Sequence, residues 1–217
     1  MSQRAILFAN GELTHADAIR PLIHADDVII CADGGSRHAL ALGLAPDLVI
    51  GDLDSIAPDD LRALQQLGCP IERHPVDKDA TDLELALLAA QRLGADEVIL
   101  VAALGGRLDQ TLGNLMLMAN PSFADLHLTL VDGRQTVNVV RDQTTIIGSA
   151  GDTVSALALS PLVEGLTYHG LRWPLHNATL LFGSTRGISN EMTGDSAYIS
   201  LRRGVLLVVH TIGSTNR

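Results

Sequence analysis

Two aspartates separated by a single residue are the first candidates for chemistry. Asp52 and Asp54 come directly after a short apolar run at residues 48–50. Carboxylates at this spacing, on a loop that follows a strand, can hold a metal ion and its bound phosphates. Asp54 with Ser55 could instead cap a helix that starts after Pro58. Asp52 has no such structural explanation, so the sequence favours a functional role for the pair.

A second acidic loop follows the strand candidate at residues 71–74. It contains three aspartates and Lys78 within six residues, and carboxylates this close repel one another unless a cation joins them. Asp79 and Asp82 are candidates to complete a magnesium site, and Lys78 could balance charge or bind a phosphate oxygen. The alternative is a solvated loop that leads into a helix capped by Thr81.

Two further loops are rich in glycine. Asp33, Gly34 and Gly35 lie between an apolar run and a helix candidate, where backbone N–H groups and a helix N-terminus can face an anion. The same three residues also suit a plain turn.

The fourth loop, at residues 105–110, follows the apolar run at 98–101. Gly105 and Gly106 allow a ligand to approach the backbone closely, and Arg107 offers a planar fork of donors for phosphate. Asp109 could instead cap the helix that follows. The GxxxxGK[ST] phosphate loop is absent, so metal-bridged phosphate binding is the physically sensible alternative in an acidic protein.

Alternating strands and helices must position these four loops. Strands are predicted at residues 5–8, 28–32, 48–50, 71–74, 98–101 and 126–131, and helices at 16–23, 36–42, 59–67, 83–93 and 110–118. Continuously apolar strands are typical of a parallel sheet that is buried on both faces. The prediction is an open, mostly parallel, Rossmann-like α/β sheet with all four loops at one edge.

The pattern changes near residues 132–135. Beyond this point short β-branched runs, at 136–140, 153–159, 178–182, 197–201 and 205–211, alternate with turn residues. This indicates a small all-β sandwich. We therefore predict two domains, an α/β catalytic domain at 1–133 and a β-sandwich at 134–217.

Composition limits the classes of partner. The formal net charge is −10, so no general attraction to nucleic acid or to an anionic membrane is expected. The N-terminal apolar run is too short for a signal peptide, and no stretch reaches the length of a membrane span. The spacing of Cys31 and Cys69 fits neither a CxxC motif nor a zinc finger. We expect a cytoplasmic protein with free thiols.

Six segments, in order and spacing, resemble the motifs of thiamine pyrophosphokinases. Four are the loops described above, and the other two lie in the β-rich part. These segments are residues 32–35, 51–56, 79–82, 105–110, 170–175 and 187–191. The resemblance extends from about residue 10 to about residue 200, which makes it far more specific than any single glycine motif.

The resemblance implies transfer of a pyrophosphoryl group from ATP to the hydroxyl of thiamine, with Mg²⁺, giving AMP and thiamine diphosphate. It further implies a homodimer with active sites at the subunit interface. On this basis the catalytic residues are Asp52, Asp54, Asp79 and Asp82, of which Asp52, Asp54 and Asp79 bind the metal. The ligand-binding residues it implies are Asp33, Gly34, Gly35, Lys78, Arg107, Asp109, Gln110, Trp173, Ser189 and Asn190.

Other readings stay open at this point. The acceptor could be another hydroxymethyl heterocycle such as a pterin, although Trp173, Ser189 and Asn190 favour thiamine. A nucleotide- or thiamine-sensing module would not need so many metal-type carboxylates. A phosphatase with an aspartyl nucleophile would share the Asp52–Asp54 spacing, but the double-glycine loops fit it poorly. For Trp173 the alternative is a core or interface residue, and for Ser189 and Asn190 a turn.

Overall fold

The computed structural model describes residues 3–213, which form two compact units. The first unit ends at Gly133 and the second begins at Arg134. The first is mixed α/β and the second is all β. None of the helices in residues 3–213 is long and apolar enough to cross a membrane.

The first unit contains six parallel strands. They are β1 (Gln3–Phe8), β2 (Val28–Ala32), β3 (Leu48–Gly51), β4 (Ile71–Arg73), β5 (Ala95–Val101) and β6 (His127–Asp132). Their order across the sheet is β6-β5-β1-β2-β3-β4, and every neighbouring pair is parallel. The central strands are buried on both faces, which explains their continuous apolar sequences.

Five α-helices accompany these strands. They are α1 (Ala16–Ile19), α2 (Ser36–Ala41), α3 (Pro58–Gln66), α4 (Asp82–Arg92) and α5 (Leu108–Leu117). Each predicted helix is present, but α1 is shorter than expected because the chain continues as a 3-10 turn at Arg20–Leu22. Pro21 lies in that turn, and proline has no N–H group for an α-helical hydrogen bond.

The first residues of the helices show which of three predicted side-chain caps are present. Thr81 caps α4, since its hydroxyl accepts the Glu84 N–H at 3.2 Å. Helix α3 is preceded by Ala57 and has no side-chain cap, so Asp54 and Ser55 do not cap it. Arg107 precedes α5, which puts Asp109 inside the first turn. Capping was therefore the wrong explanation for Asp54 and Asp109.

Within residues 134–213, the strands of the second unit pair with one another in antiparallel fashion. They are β7 (Gln135–Val140), β8 (Gln143–Ile147), β9 (Thr153–Ala158), β10 (Leu162–His169), β11 (Ala178–Leu181), β12 (Asn190–Glu191), β13 (Ser196–Ser200) and β14 (Leu206–Thr211). Within this unit one set has the order β12-β9-β14-β7 and the other β11-β10-β13-β8. A single apolar core that includes Val154, Tyr168 and Leu206 draws side chains from both sets.

Candidate active site

The strand order reverses at β1, and the main cavity opens at that point. The chain proceeds outward from β1 to β4 on one side and then places β5 and β6 on the other. Crevices at such a switch point, beyond the carboxyl ends of parallel strands, are the usual ligand sites of open α/β sheets. Here the cavity measures about 640 Å³. It is lined by the loops after β1, β2, β3, β4 and β5.

Three carboxylates converge on one wall of this cavity. Asp33 follows β2, Asp52 follows β3, and Asp82 is the first residue of α4. One oxygen from each lies within 4.8 Å of the others. Gly51 makes room for them, because a Cβ atom there would lie 2.8 Å from Asp33 Cβ and 3.2 Å from Asp82 Cγ. We call Asp33, Asp52 and Asp82 the acidic cluster.

Asp33 is the most buried member of the acidic cluster. Its relative exposure is 3%, and its Oδ1 has no hydrogen-bond partner among the described residues. Burial raises the pKa of Asp33. Hydrogen bonds from Gly34 and Ser55 oppose this rise, the nearby charges of Asp82 and Asp52 add to it, and the net shift is upward. Its backbone φ is +48°, a left-handed conformation that aspartate tolerates better than most residues. Such an unpaired buried oxygen beside two other carboxylates is what a cation would satisfy.

Asp52 is in a different electrostatic situation. Its Oδ1 accepts the Asp54 N–H at 3.1 Å, and its Oδ2 lies 3.4 Å from Lys78 Nζ. The Asp54 N–H and then Lys78 hold the pKa of Asp52 below its usual range, so this carboxylate is charged at neutral pH. The same ammonium lies 3.0 Å from Asp82 Oδ1.

Arg37 organises the loop after β1. Its guanidinium donates to the carbonyls of Gly34 at 2.9 Å, Asn10 at 3.1 Å and Gly11 at 2.8 Å. It also bonds the Asn10 side chain. Both glycines after Asp33 are needed for this packing. A Cβ on Gly34 would lie 2.5 Å from Asn10 Oδ1, and one on Gly35 would lie 2.2 Å from a backbone carbonyl of β1. Gly34 and Gly35 therefore lie beneath the cavity and do not line it.

The loop after β5 forms the opposite wall. The Gly106 N–H donates to Glu12 Oε1 at 3.1 Å. The Arg107 guanidinium forms a two-point ion pair with Asp109, at 3.1 and 2.6 Å, and both side chains are exposed. This pair lowers the pKa of Asp109. Arg107 therefore reaches the cavity already paired with a carboxylate.

A smaller cavity of about 350 Å³ adjoins the first. It shares Thr81, Gln110 and Asn114 with the main cavity. Its other lining residues include two carboxylates and one exposed apolar side chain, namely Glu84, Asp109 and Met116. A cationic ligand with an apolar part suits such a lining.

Trp173, Ser189 and Asn190 come together in the second unit. The Trp173 ring is 54% exposed, so a core position was the wrong alternative for it. The guanidinium of Arg172 lies 5.0 Å from the ring centroid. The Asn190 side chain is buried and binds the backbone of Trp173. Ser189 is exposed, and its N–H donates to Ser155 Oγ at 3.0 Å.

The structure thus brings together part of the residue set that the sequence singled out. Those that line the main cavity are Asp33, Asp52, Asp54, Lys78, Asp82, Arg107 and Gln110. Asp79 is exposed and does not belong to that lining, and Asp109 lines the smaller cavity. Of the three predicted metal ligands only Asp52 lies in the acidic cluster, where Asp33 and Asp82 accompany it.

Several lining residues were not selected as site residues from the sequence, and four of them stand out. These four have polar or charged side chains and lie on loops or helices next to the cavity, and they are Asn10, Glu12, Arg37 and Asn114. Asn114 is buried on α5, and its amide donates to the Ala103 carbonyl at 2.7 Å. A polar residue on the inner face of an apolar helix is the one sequence signal that could have revealed it. Arg37, one residue after Ser36 at the start of α2, gave no comparable signal.

Each of the two units matches a known protein family. Residues 19–130 match the family described as "Thiamin pyrophosphokinase, catalytic domain", and residues 134–206 match "Thiamin pyrophosphokinase, vitamin B1 binding domain". The thiamine pyrophosphokinase of Bacillus subtilis is 28% identical over 184 residues, covering 84% of this chain and 86% of the relative.

Solved structures agree with these matches. The thiamin pyrophosphokinase of Geobacillus thermodenitrificans superposes with a TM-score of 0.85 at 28% identity, covering 98% of this chain and 99% of that one. The Bacillus subtilis structure has the same fold, with a TM-score of 0.87 at 24% identity over 97% of this chain and 100% of that one. Because the family matches extend through both units, the chain belongs to the thiamine pyrophosphokinase family of enzymes.

Proposed function

We propose that this chain transfers the pyrophosphoryl group of ATP to the hydroxyl of thiamine, giving AMP and thiamine diphosphate in a magnesium-dependent reaction. The observation that carries the proposal is the acidic cluster at the switch point of a parallel sheet, in a cavity that Gly105 and Gly106 also line. We further propose that this sheet is of the Rossmann-like type. The family membership supplies the identity of donor and acceptor.

The donor set of the acidic cluster fits magnesium. Mg²⁺ prefers oxygen ligands and is usually bound by a few carboxylates together with substrate phosphates. Asp33, Asp52 and Asp82 offer three such oxygens. Asp33 Oδ1, which has no hydrogen-bond partner in the part of the chain that the structure describes, supplies a reason for a cation to bind. When bound, the ion would neutralise the charge of the phosphates.

Asp54 and Asp79 remain proposed parts of the catalytic apparatus. Asp54 lines the main cavity, and Asp79 lies on the same loop as Lys78. Both side chains are exposed. They are therefore accessible to a metal-bound triphosphate and to the proton that leaves the thiamine hydroxyl. We assign that proton to Asp79, following the family resemblance.

The rest of the reaction depends on positioning. Phosphoryl-type transfers need the nucleophile and the phosphorus in line and the developing charge stabilised, and they need no covalent enzyme intermediate. Asn10, Gly11 and Arg37 would hold the nucleotide side at the end of β1. Lys78 and Arg107 would contact phosphate oxygens.

Thiamine would occupy the smaller cavity. Its cationic thiazolium would lie near Asp109 and Glu84, and Gln110 would contact it from the cavity wall. We also propose a homodimer in which the partner subunit's Trp173, Ser189 and Asn190 complete the thiamine site. The guanidinium of Arg172 already lies over the face of the Trp173 ring. The cationic thiazolium of thiamine would interact with the ring face in the same way.

The cytoplasm is the proposed location. Cys31 and Cys69 are both free thiols, as expected in a reducing compartment.

An AMP-release assay on the purified chain tests the proposed function. ATP, Mg²⁺ and thiamine are supplied together, then without thiamine, with EDTA, and with a hydroxymethylpterin in place of thiamine. AMP and thiamine diphosphate should form only when thiamine and metal are both present, and Asp52→Asn should abolish turnover in a folded protein. AMP release that does not need thiamine, or that follows the pterin, would refute the assignment.

A further inference from the structure

Lys78 is the only lysine in a chain that has fourteen arginines. It lies on the loop between β4 and α4, and its side chain is only 14% exposed. Lysine differs from arginine in carrying a compact point charge on a flexible stem, whereas arginine has a rigid planar fork. The flexible stem therefore allows the ammonium of Lys78 to move between positions more easily than a guanidinium could.

The ammonium of Lys78 bridges two members of the acidic cluster. Nζ lies 3.0 Å from Asp82 Oδ1 and 3.4 Å from Asp52 Oδ2. These contacts supply part of the positive charge that three adjacent carboxylates require. Asp33 Oδ1 has no hydrogen-bond partner within residues 3–213, so one ammonium does not complete the neutralisation.

A divalent cation would need the same carboxylates. Because the carboxylate oxygens are grouped within 4.8 Å, an ion bound to them comes too close to the ammonium for both cations to keep their contacts. Binding of the ion therefore requires Lys78 to give up at least one of its two ion pairs.

We propose that Lys78 is an internal counter-ion, which holds the acidic cluster together before the divalent cation binds and is displaced from it when the cation arrives. The proposal rests on the proposed function, because it assumes that the divalent cation binds at the acidic cluster. It is compatible with a later contact between Lys78 and phosphate, since the displaced side chain stays on a loop that lines the cavity.

Direct metal binding is the first test. Mn²⁺ binding to the nucleotide-free full-length chain is measured by electron paramagnetic resonance of the free ion at pH 7.5. Lys78→Gln should bind Mn²⁺ more tightly, by about tenfold, because the ion no longer displaces a charge-assisted pair. Arg73→Gln is the matched control, since it removes the same unit of charge from an exposed residue of β4. It should leave the affinity within about twofold of that of the unmodified chain.

The outcomes separate the two proposals. If Asp52→Asn abolishes Mn²⁺ binding while Lys78→Gln leaves the affinity unchanged or weaker, the metal site stands and the role of Lys78 is refuted. If Asp52→Asn does not weaken binding, the ion binds elsewhere and both proposals fail.

A second measurement avoids the variant altogether. Acetylation of Lys78 by an N-hydroxysuccinimide ester is followed by peptide mass spectrometry, with and without Mg²⁺. Since no other lysine is present, the modified side chain is unambiguous. Displacement by the ion should raise the acetylation rate several-fold, and Ca²⁺-free, Mg²⁺-free buffer with EDTA should restore the slow rate. An unchanged or slower rate in Mg²⁺ would overturn the proposal.

Discussion

The side-chain amide of Asn190 binds the backbone of Trp173 from both ends. Asn190 Oδ1 accepts the Trp173 N–H at 3.0 Å, and its Nδ2 donates to the Trp173 carbonyl at 2.8 Å. Both polar atoms of Asn190 are thus engaged within the second unit. Asn190 therefore positions Trp173, which carries the exposed ring, and we propose that it contributes to the thiamine site through that ring.

Replacement of Asn190 should therefore act through Trp173. Asn190→Ala removes both hydrogen bonds and should lower the free energy of unfolding by about 1–2 kcal/mol. It should also raise the KM for thiamine by about tenfold if Trp173 contributes to that site. Trp173 is the only tryptophan, so its fluorescence reports directly on its environment. Asn190→Asp, which keeps only the acceptor, should give an intermediate effect. An emission spectrum and a KM that do not change would contradict this role.

Gly51 should be essential for the geometry of the acidic cluster. A methyl group at this position would meet Asp33 Cβ at 2.8 Å and Asp82 Cγ at 3.2 Å, so Gly51→Ala must push the two carboxylates apart. We expect a loss of kcat of about 100-fold, the scale of a displacement of about 1 Å in an active site. Gly194→Ala, with no heavy atom within 4 Å of the new methyl, is the matched control. Full activity in Gly51→Ala would show that the spacing of the cluster is unimportant.

Arg37 should affect nucleotide binding through the loop after β1. Lysine at this position keeps the charge but cannot reach three carbonyls at once. For Arg37→Lys we expect the KM for ATP to rise by about tenfold, with a smaller effect on kcat. The substitution loosens a loop that would contact bound ATP equally in the ground state and in the transition state. Arg62→Lys, at an exposed position on α3 whose partner is Asp59, should behave like the unmodified chain. A KM for ATP that stays the same would exclude the loop from the nucleotide site.

The ion pair between Arg4 and Asp27 should give a pH-dependent stability without affecting catalysis. Both oxygens of Asp27 accept from Arg4 at 2.8 Å. Burial opposes the charge of Asp27, but hydrogen bonds from Arg4 and the His24 N–H outweigh it and hold the pKa below its usual range. Asp27→Asn should cost about 2 kcal/mol of unfolding free energy at pH 7.

The pH dependence follows from the direction of this shift. A lowered pKa in the folded chain means that the stabilisation is complete above the unfolded value, about 3.9, and is lost as the pH falls through the folded value. Urea unfolding of both proteins between pH 3 and pH 7.5 should show a constant difference down to about pH 4, and a smaller one below. The exposed neighbour Asp26 provides the control, as Asp26→Asn. A difference that shrinks already between pH 7 and pH 5 would rule out Asp27 as its source.

The alternation of apolar runs and helical segments was enough to predict the α/β architecture of the first unit. The central strands β1, β2 and β3 end in buried apolar residues and are followed by turns, so local pattern and tertiary position agree. In the second unit the predicted runs did not include the two-residue strand Asn190–Glu191 or the longer strands Gln143–Ile147 and Leu162–His169. Of these two longer strands, each has a local reason. The first begins with polar residues, and the second is interrupted by Gly165, where the pairing register shifts and φ is +71°.

The composition of the acidic cluster could not be read from spacing. Asp79 and Asp82 are equally plausible ligands in the sequence, but Asp82 lies in the first turn of α4, which packs against β2 and β3. The turn of the helix directs Asp82 to the strand ends, whereas Asp79 stays on an exposed loop. Side-chain direction at a loop–helix junction depends on how the helix docks, and a single sequence does not contain that information.

The pairing of β5 with β1 has a consequence for folding. It joins residues that are more than ninety positions apart, such as Ala5 and Val98, and until it forms, Gly105 and Gly106 are separated from the acidic cluster. The cavity therefore forms only after β5 has paired with β1. A nucleotide that binds only to the assembled form shifts the folding equilibrium towards that form by mass action. Substrates present during refolding should consequently favour completion of this slow, long-range step over partly assembled forms.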